Sequence, residues 1–312
     1  MRLGIVDVGT NSIHLLIGRV SPDRTLSTIG YERHLPRLGD AGLVANTLSP
    51  AAMRRAMGVL RRYAAILKRR GVDRVEAVAT SAVRGATNGR AFVRRVRDET
   101  GLPLRMISGE EEARLIYRGV LRTQRSRHAI VLIAVGGGSA QVICGEGTRV
   151  RYAVSLPLGG ARLAQRFIHH DPPRVEEVEV LRRYTRRAWT PVVRAMRRRR
   201  WQHALGSSSM IAQLMIAAHG RTHGRPPPHC GGRLLLSQRS LRQLVRWLST
   251  STATERKRLG GIDPKREDLL LSTGVVLLTW MEGCEVANLR YAPGSLREGL
   301  VMDFLDETTG PR

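Results

Sequence analysis

The chain contains two copies of one glycine-rich turn, and each copy is flanked by short apolar runs. The copies are Val6-Asp7-Val8-Gly9-Thr10-Asn11-Ser12 and Ile133-Ala134-Val135-Gly136-Gly137-Gly138-Ser139. At one constant offset Ser12 falls on Ser139. Gly18 then falls on Gly145, so the match extends over a whole unit of strand, turn and strand. We therefore expect two related units of this kind in the fold.

Turns of this composition suit phosphate. Glycines let consecutive backbone N–H groups point into one concave nest, and a Thr or Ser hydroxyl adds a further donor for phosphate oxygens. Two such nests facing each other would hold a phosphate chain. Either turn alone is also compatible with a tight β-hairpin, in which glycine serves only the backbone conformation. The repetition at a constant offset favours phosphate binding.

Length and composition indicate the class of protein. With 312 residues the chain exceeds the usual limit for a single core, so we expect two domains. The hydrophobic content is 42% and the charged content 25%, and no apolar run is long enough to span a bilayer. The N-terminus enters a strand directly, without the features of a signal peptide. We expect a cytoplasmic protein with no membrane partner.

The formal net charge of +26 favours polyanionic partners such as polyphosphate, nucleic acid or highly phosphorylated nucleotides. Only Lys68, Lys257 and Lys265 are lysines, so arginine supplies most of the positive charge, which is also typical of a genome-wide compositional bias. That bias explains the choice of arginine but not the excess over acids. Because no DNA-reading motif is recognisable, we expect no specific nucleic-acid partner.

Helical and extended patterns alternate along the chain, which is typical of an α/β protein. Ser49 and Pro50 predict the N-cap and first turn of a helix. Residues 75–80 form a predicted strand, and residues 269–280 a predicted buried helix. The stretch 175–200 is predicted as a long basic helix, which either lines a path for a polyanion or is simply a solvated face.

Cysteine and histidine do not predict a metal centre. Cys144, Cys230 and Cys284 lie far apart and make an odd count, which is typical of reduced thiols. His223 and His229 lie near Cys230, but a zinc site needs a second matching pair of ligands, which the sequence lacks.

Several segments follow one another in an order that carries a resemblance to a known family. They are Asp7-Val8-Gly9-Thr10-Asn11-Ser12, Ala79-Thr80-Ser81-Ala82-Val83-Arg84, Ile107-Ser108-Gly109-Glu110-Glu111-Glu112-Ala113-Arg114-Leu115, Gly136-Gly137-Gly138-Ser139, Ser155-Leu156-Pro157-Leu158-Gly159 and Leu296-Arg297-Glu298-Gly299. Over nearly its whole length the chain resembles the exopolyphosphatase and guanosine pentaphosphate phosphatase family, within the actin and hexokinase superfamily.

The resemblance implies an α/β fold with two ribonuclease H-like, actin-like domains and a cleft between them. The first domain would comprise residues 1–122 together with a C-terminal helix at about 296–312, and the second residues 123–295. The resemblance also implies a homodimer.

The resemblance assigns roles to individual residues. By its position before Ala-Arg-Leu, Glu112 is the carboxylate that orients or deprotonates the attacking water. Asp7 would hold a divalent ion, magnesium or manganese, directly or through water. The implied phosphate-binding residues are Gly9, Thr10, Asn11, Ser12, Arg84, Gly136, Gly137, Gly138 and Ser139.

The second turn departs from the family pattern. Where the family has Asp-Ile-Gly-Gly-Gly-Ser-Thr-Glu, this chain carries Ala134 and Gln141 at the positions of the two carboxylates. The first of these carboxylates normally helps to hold the metal, and the second lies close to the catalytic water or metal. The substitutions are therefore expected to reduce turnover more than they affect the fold or phosphate binding.

Two functions follow from these expectations. The first is a phosphohydrolase that releases terminal phosphate from inorganic polyphosphate or guanosine pentaphosphate by metal-assisted attack of water. The second is a catalytically weakened paralogue that binds polyphosphate or hyperphosphorylated guanosine nucleotides as a sensor or regulator.

Overall fold

The computed structural model of the chain describes residues 1–23, 25–124, 128–227 and 234–307. These residues form two compact units. The first comprises Met1–Gly119 and the segment that begins at Leu296, and the second is Val120–Ser295. His229 and Cys230, which the sequence analysis considered beside His223, lie outside the described residues.

The first unit is built on a five-stranded sheet with the strand order β3-β2-β1-β4-β5. Its strands are β1 (Arg2–Val8), β2 (Ile13–Val20), β3 (Leu26–His34), β4 (Arg74–Ala79) and β5 (Leu104–Met106). β1, β2 and β3 form an antiparallel meander, whereas β4 and β5 run parallel to β1. The carboxyl ends of β1, β4 and β5 therefore meet at one edge of the sheet.

Helices follow β3, β4 and β5. They are α1 (Pro50–Arg69), α2 (Ser81–Arg84), α3 (Gly89–Thr100) and α4 (Gly109–Leu121). The start of α1 is as predicted, because the Ser49 hydroxyl accepts the Ala52 N–H at 3.2 Å and Pro50 occupies the first turn. The buried Tyr63 of α1 donates its hydroxyl proton to the Ile13 carbonyl at 3.0 Å, which anchors this helix on β2.

The second unit is built on a six-stranded sheet with the order β10-β11-β9-β6-β7-β8. Its strands are β6 (Ile130–Val135), β7 (Ala140–Glu146), β8 (Arg149–Leu156), β9 (His203–Ser207), β10 (Leu235–Ser237) and β11 (Asn288–Tyr291). β6, β7 and β8 again form an antiparallel meander, and β9 again runs parallel to the first strand of that meander.

The two sheets thus repeat one arrangement. The order β8-β7-β6-β9 of the second unit matches the order β3-β2-β1-β4 of the first. The pairing of the second and third strands shifts register at equivalent points, between Ile17 and Gly18 and between Cys144 and Gly145. The repeat inferred from the glycine-rich turns and the predicted α/β class are both confirmed.

Helices of the second unit pack around one apolar helix. In chain order they are α5 (Gly160–Phe167), α6 (Val175–Arg197), α7 (Ser209–His223), α8 (Gln238–Leu248), α9 (Ala253–Arg258) and α10 (Leu270–Gly283), with a 3₁₀ helix at Pro264–Leu269. α10 is buried along most of its length and contacts α5, α6, α7 and α8. Trp189 of α6 donates its indole N–H to the Val276 carbonyl of α10 at 3.1 Å. None of the helices in the described ranges is long and apolar enough to cross a membrane.

The chain returns to the first unit in α11 (Leu296–Glu307). Gly299 of this helix lies against α4, because a Cβ atom there would be 2.0 Å from the Leu115 carbonyl oxygen. Only a glycine allows the two helices to approach so closely. Arg118 of α4 forms ion pairs with Asp303 and Asp306 of α11, which hold the same contact.

We predict that Gly299→Ala destabilises the first unit. The added methyl group would have to displace backbone of α4, and overpacking of this kind costs roughly 1–3 kcal/mol or more. The midpoint of thermal unfolding, followed by circular dichroism, should fall by several degrees. The matched control is Gly58→Ala on α1, where nothing lies within 4 Å of the Cβ position. That change should stabilise the protein by about 0.5–1 kcal/mol through helix propensity. Equal midpoints for both variants would contradict the close packing.

Candidate active site

The first glycine-rich turn joins β1 to β2 and is closed by the Gly9 N–H, which donates to the Ser12 carbonyl at 3.0 Å. Two backbone donors hold the turn from one side. The Gly39 N–H donates to the Thr10 carbonyl at 2.8 Å, and the Arg37 N–H donates to the Asn11 carbonyl at 3.0 Å. These bonds fix the orientation of two successive peptide planes.

That orientation decides where the N–H groups point. In a trans peptide the C=O and N–H of one unit lie on opposite sides of the chain. The carbonyls of Thr10 and Asn11 face residues 37–39, so the N–H groups of Asn11 and Ser12 face away from them. Two adjacent N–H groups on one side of a turn form a nest for an anion.

The second turn joins β6 to β7 in the same way. The Gly136 N–H donates to the Ser139 carbonyl at 2.9 Å, and the Arg162 N–H donates to the Gly137 carbonyl at 3.0 Å. The Arg162 Nε–H donates to the Gly138 carbonyl at 3.1 Å. The N–H groups of Gly138 and Ser139 therefore face away from α5, as those of Asn11 and Ser12 face away from residues 37–39.

Close packing behind the second turn requires glycine. A Cβ atom on Gly159 would lie 2.3 Å from the backbone nitrogen of Gly138 and 2.4 Å from the carbonyl carbon of Gly137. Gly160 donates its N–H to the Gly136 carbonyl at 2.9 Å. The segment Ser155-Leu156-Pro157-Leu158-Gly159 therefore contributes the residue on which the turn rests, and this explains its place among the matching motifs.

An acidic group lies at the carboxyl edge of the first sheet. Asp7 is near the end of β1, Arg84 follows β4, and Glu112 is in the first turns of α4. The Arg84 Nη1 donates to Glu112 Oε2 at 2.9 Å and to the Ile107 carbonyl at 3.1 Å. The predicted residues Asp7, Arg84 and Glu112 are thus brought together within one unit, at the edge where α/β proteins place ligand contacts.

Both carboxyl groups have raised pKa values. Burial raises the pKa of Glu112 to about 7, although the Arg84 guanidinium opposes the shift, and the nearby Asp7 carboxylate raises it further. Burial also raises the pKa of Asp7 to about 6, with Arg297 lowering and Glu298 raising it. A carboxyl group with a pKa near neutrality can accept a proton from water and release it again.

Sequence reasoning gave no role to Arg297 and Glu298, although their segment was among the matching motifs. Both side chains act electrostatically on Asp7, so α11 contributes to the acidic group. The Arg297 guanidinium lies 5.4 Å from the centre of the Tyr31 ring. The clue available in the sequence was the Leu-Arg-Glu-Gly motif, which carries two opposite charges next to the glycine that packs on α4.

The second unit has no carboxylate at the positions that correspond to Asp7 and to the lost family glutamate. Ala134 is buried in β6, and the register pairs it with Gln141 on β7. The Gln141 side chain is also buried, and its Nε2 donates to Ser139 Oγ at 2.8 Å and to Ser155 Oγ at 3.0 Å. Neutral hydrogen bonds therefore replace negative charge beside the second turn.

The donor set limits what metal chemistry is possible. In the part of the chain that the structure describes, no three His, Cys, Asp or Glu side chains are grouped as metal ligands. The first unit offers magnesium only one or two carboxylates. It can therefore bind the ion only if substrate phosphates complete the coordination. Next to the second turn, Ala134 and Gln141 offer no charged oxygen, and this position does not fit a magnesium ion.

The repeated sheet order and the paired turns define a protein of the ribonuclease H-like, actin-like class, and solved structures agree. An exopolyphosphatase from Cytophaga hutchinsonii superposes with a TM-score of 0.89 at 28% identity over 98% of both chains. The Ppx/GppA family member from Aquifex aeolicus superposes with a TM-score of 0.79 at 27% identity, again over 98% of both chains. The α/β fold with two domains of one kind, which the sequence resemblance implies, is confirmed.

The family follows from the sequence comparisons. The model of the Ppx/GppA phosphatase family matches residues 16–308. Exopolyphosphatase 1 of Mycobacterium tuberculosis is 30% identical over 310 residues, which cover 98% of this chain and 89% of that protein. The chain belongs to the Ppx/GppA phosphatase family.

We predict that Glu112→Gln changes the pH dependence of stability. A carboxyl group whose pKa rises from 4.5 to about 7 on folding holds its proton more tightly in the folded state. Wild-type stability should therefore fall as the pH rises from 4.5 to 7, by about 3 kcal/mol at most because one pKa unit is worth about 1.4 kcal/mol. The variant lacks this titration. The difference between its free energy of unfolding and that of the unaltered protein should therefore shift in favour of the variant between pH 5 and pH 8.

Urea unfolding at both pH values measures this difference. The control is Glu110→Gln, because Glu110 is an exposed acid in the same helical turn. An equal advantage for Glu112→Gln at pH 5 and pH 8 would show that Glu112 is ionised throughout and would remove the basis for its assignment as a base.

Proposed function

We propose that this protein is a phosphohydrolase that releases the terminal phosphate of inorganic polyphosphate. The observation that carries the proposal is the ion pair of the buried Glu112 with Arg84 beside Asp7, in the same unit as a turn that presents N–H groups to an anion. Relatives named exopolyphosphatase support polyphosphate as the substrate. The formal net charge of the chain is +26, and a positive charge is expected for a protein that attracts this polyanionic substrate.

In this proposal the glycine-rich turns bind phosphate oxygens. The N–H groups of Asn11 and Ser12 supply one nest, and those of Gly138 and Ser139 supply another. Each nest takes oxygens from a phosphoryl group without regard to the rest of the polymer. A substrate made only of phosphate units provides such oxygens along its whole length.

Glu112 acts as the general base. Its unprotonated carboxylate takes a proton from water as the water oxygen attacks the terminal phosphorus, and the bond from that phosphorus to the bridging oxygen breaks. The products are inorganic phosphate and a chain one phosphate shorter. A pKa of about 7 leaves much of Glu112 ionised at neutral pH and makes it a stronger base than an exposed glutamate.

Arg84 has two tasks in this proposal. Its Nη1 group positions Glu112 and is itself held by the Ile107 carbonyl. The planar guanidinium has further N–H groups on Nε and Nη2 that can donate to a phosphoryl oxygen. Arg84 would thus place the base and the reacting phosphate next to each other.

Asp7 is the residue that would hold a divalent ion, magnesium or manganese, together with substrate phosphates. When bound, the ion would neutralise charge on the phosphoryl oxygens. The raised pKa of Asp7 is consistent with this role, because a nearby cation would stabilise the ionised form that burial disfavours.

The same proposal includes guanosine pentaphosphate as an alternative substrate and a homodimer, both of which rest on the family resemblance. It also includes a cytoplasmic location, which is consistent with cysteines that are typical of reduced thiols. A second candidate function is a catalytically weakened paralogue that binds polyphosphate or hyperphosphorylated guanosine nucleotides as a sensor or regulator. The neutral pair of Ala134 and Gln141 beside the second turn favours this candidate.

We predict that the unaltered protein releases phosphate from polyphosphate of defined length with magnesium or manganese, and that Glu112→Gln lowers kcat by about 10²- to 10⁴-fold. A colorimetric assay of free phosphate measures both, with Glu110→Gln as the matched control and guanosine pentaphosphate as the second substrate. Binding without release, for all metals and both substrates, would overturn the hydrolase and leave the sensor. In that case Ala134→Asp combined with Gln141→Glu should create turnover.

We also predict the pH profile of the reaction. Because the base form of Glu112 is the ionised one, kcat/KM should rise with pH through about 7 and level off above it. The rise through about 7 should be absent from the residual activity of Glu112→Gln, in which only the ionisation of Asp7 near 6 remains, and it should be present in Glu110→Gln. A profile that is flat from pH 5 to pH 8 in the unaltered protein would assign proton transfer to another group.

A further inference from the structure

Gln141 has an unusual position for an amide side chain. It is almost completely buried, and its Nε2 lies 2.8 Å from Ser139 Oγ and 3.0 Å from Ser155 Oγ. An amide nitrogen carries two protons and no acceptor. Each proton therefore goes to one serine oxygen, and both hydroxyl groups act as acceptors towards Gln141.

This arrangement sets the direction of the Ser139 hydroxyl. Since its oxygen accepts from Gln141, its own proton is free to be donated elsewhere. A glutamate at position 141 would do the opposite. An ionised carboxylate can only accept hydrogen bonds, so the Ser139 hydroxyl would donate its proton to the carboxylate and could not donate it to a ligand. The amide therefore makes Ser139 a donor on the turn whose N–H groups form the second nest.

The first unit contains the same arrangement with different residue types. Its sheet register pairs Asp7 with His14, as the second pairs Ala134 with Gln141. His14 Nε2 lies 2.9 Å from Ser12 Oγ, and His14 Nδ1 lies 2.8 Å from the hydroxyl of Tyr31 on β3. In both units a nitrogen-bearing side chain on the second strand thus links the turn serine to a hydroxyl on the third strand.

The two units differ in charge. The first turn is accompanied by the carboxyl group of Asp7, whereas Ala134 stands at the corresponding place in the second. Arg162 lies next to the second turn and donates to the Gly138 carbonyl. That contact lies on the side of the turn opposite to the N–H groups. A phosphate at the second turn would therefore meet hydroxyl and N–H groups, with a neutral amide and a methyl group where the family has carboxylates.

We propose that Gln141 is a positioning residue that lets the second turn bind phosphate directly, without a bridging cation. It does so by holding Ser139 as a hydrogen-bond donor and by removing the negative charge that a cation would otherwise have to neutralise. The ligand class is the phosphoryl group of an inorganic polyphosphate. This inference rests on the proposed substrate but not on turnover.

The test measures binding of inorganic tripolyphosphate by isothermal titration calorimetry. All proteins carry Glu112→Gln so that hydrolysis does not interfere, and each is titrated in EDTA and in magnesium. The parent should bind in EDTA. Adding Gln141→Glu should weaken binding in EDTA by about tenfold or more, because a negative charge then lies next to Ser139 of the turn and the Ser139 hydroxyl donates its hydrogen bond to the carboxylate. Magnesium should restore most of the loss.

Two further variants separate the causes. Gln141→Met keeps the volume but offers no N–H, so binding should fall by about threefold to tenfold in EDTA, and magnesium should not restore it. Gln243→Glu makes the same change of charge on the exposed surface of α8 and should leave both affinities unchanged. Circular dichroism identifies a variant that does not fold, in which case Gln141→Met alone decides the result.

The outcomes distinguish this inference from the proposed function. Metal-free binding that Gln141→Glu makes dependent on magnesium supports the inference even if the protein releases no phosphate. A parent that binds only with magnesium, or a Gln141→Glu variant with unchanged affinity in EDTA, overturns it while leaving hydrolysis intact. Absence of tripolyphosphate binding under every condition overturns both.

Discussion

The orientation of two peptide planes in each glycine-rich turn is the constraint on which the candidate site depends. Backbone donors from residues 37–39 hold the carbonyls of the first turn, and Arg162 holds those of the second. As long as these bonds persist, the N–H groups are presented to one side without any contribution from a ligand. The anion nests are therefore formed before a ligand binds. This lowers the entropic cost of binding, because the turns do not have to be ordered by the ligand.

The two units use this shared framework for different electrostatic purposes. In the first, the buried Glu112 and the half-buried Asp7 lie near Arg84 and Arg297, so protons and cations compete for the same few oxygens. In the second, Gln141 and the serines it contacts are uncharged. One duplicated arrangement thus carries carboxyl groups with raised pKa values in one unit and hydrogen bonds between uncharged groups in the other.

Much of this could be predicted from the sequence because it depends on local patterns. The repeat, the start of α1 at Ser49 and the apolar helix α10 follow from spacing and residue type. The third strands β3 and β8 were not predicted. β3 leaves no clear apolar pattern, whereas β8 has Val150, Tyr152, Val154 and Leu156 at alternate positions, a signal that was present in the sequence but was not used. The contacts of Gln141 and the influence of Arg297 on Asp7 could not be predicted either, because sheet register and the return of α11 determine them.

The return of α11 to the first unit also imposes an order on biosynthesis. Residues 120–295 form a unit of their own and emerge from the ribosome before Arg297, which acts on Asp7, and before Gly299, which packs on the helix that carries Glu112. All residues of the second unit are therefore translated while the first still lacks a helix. A nascent or truncated chain would contain every acidic residue of the candidate site without its final electrostatic environment. The first unit is thus completed only after the second has been translated.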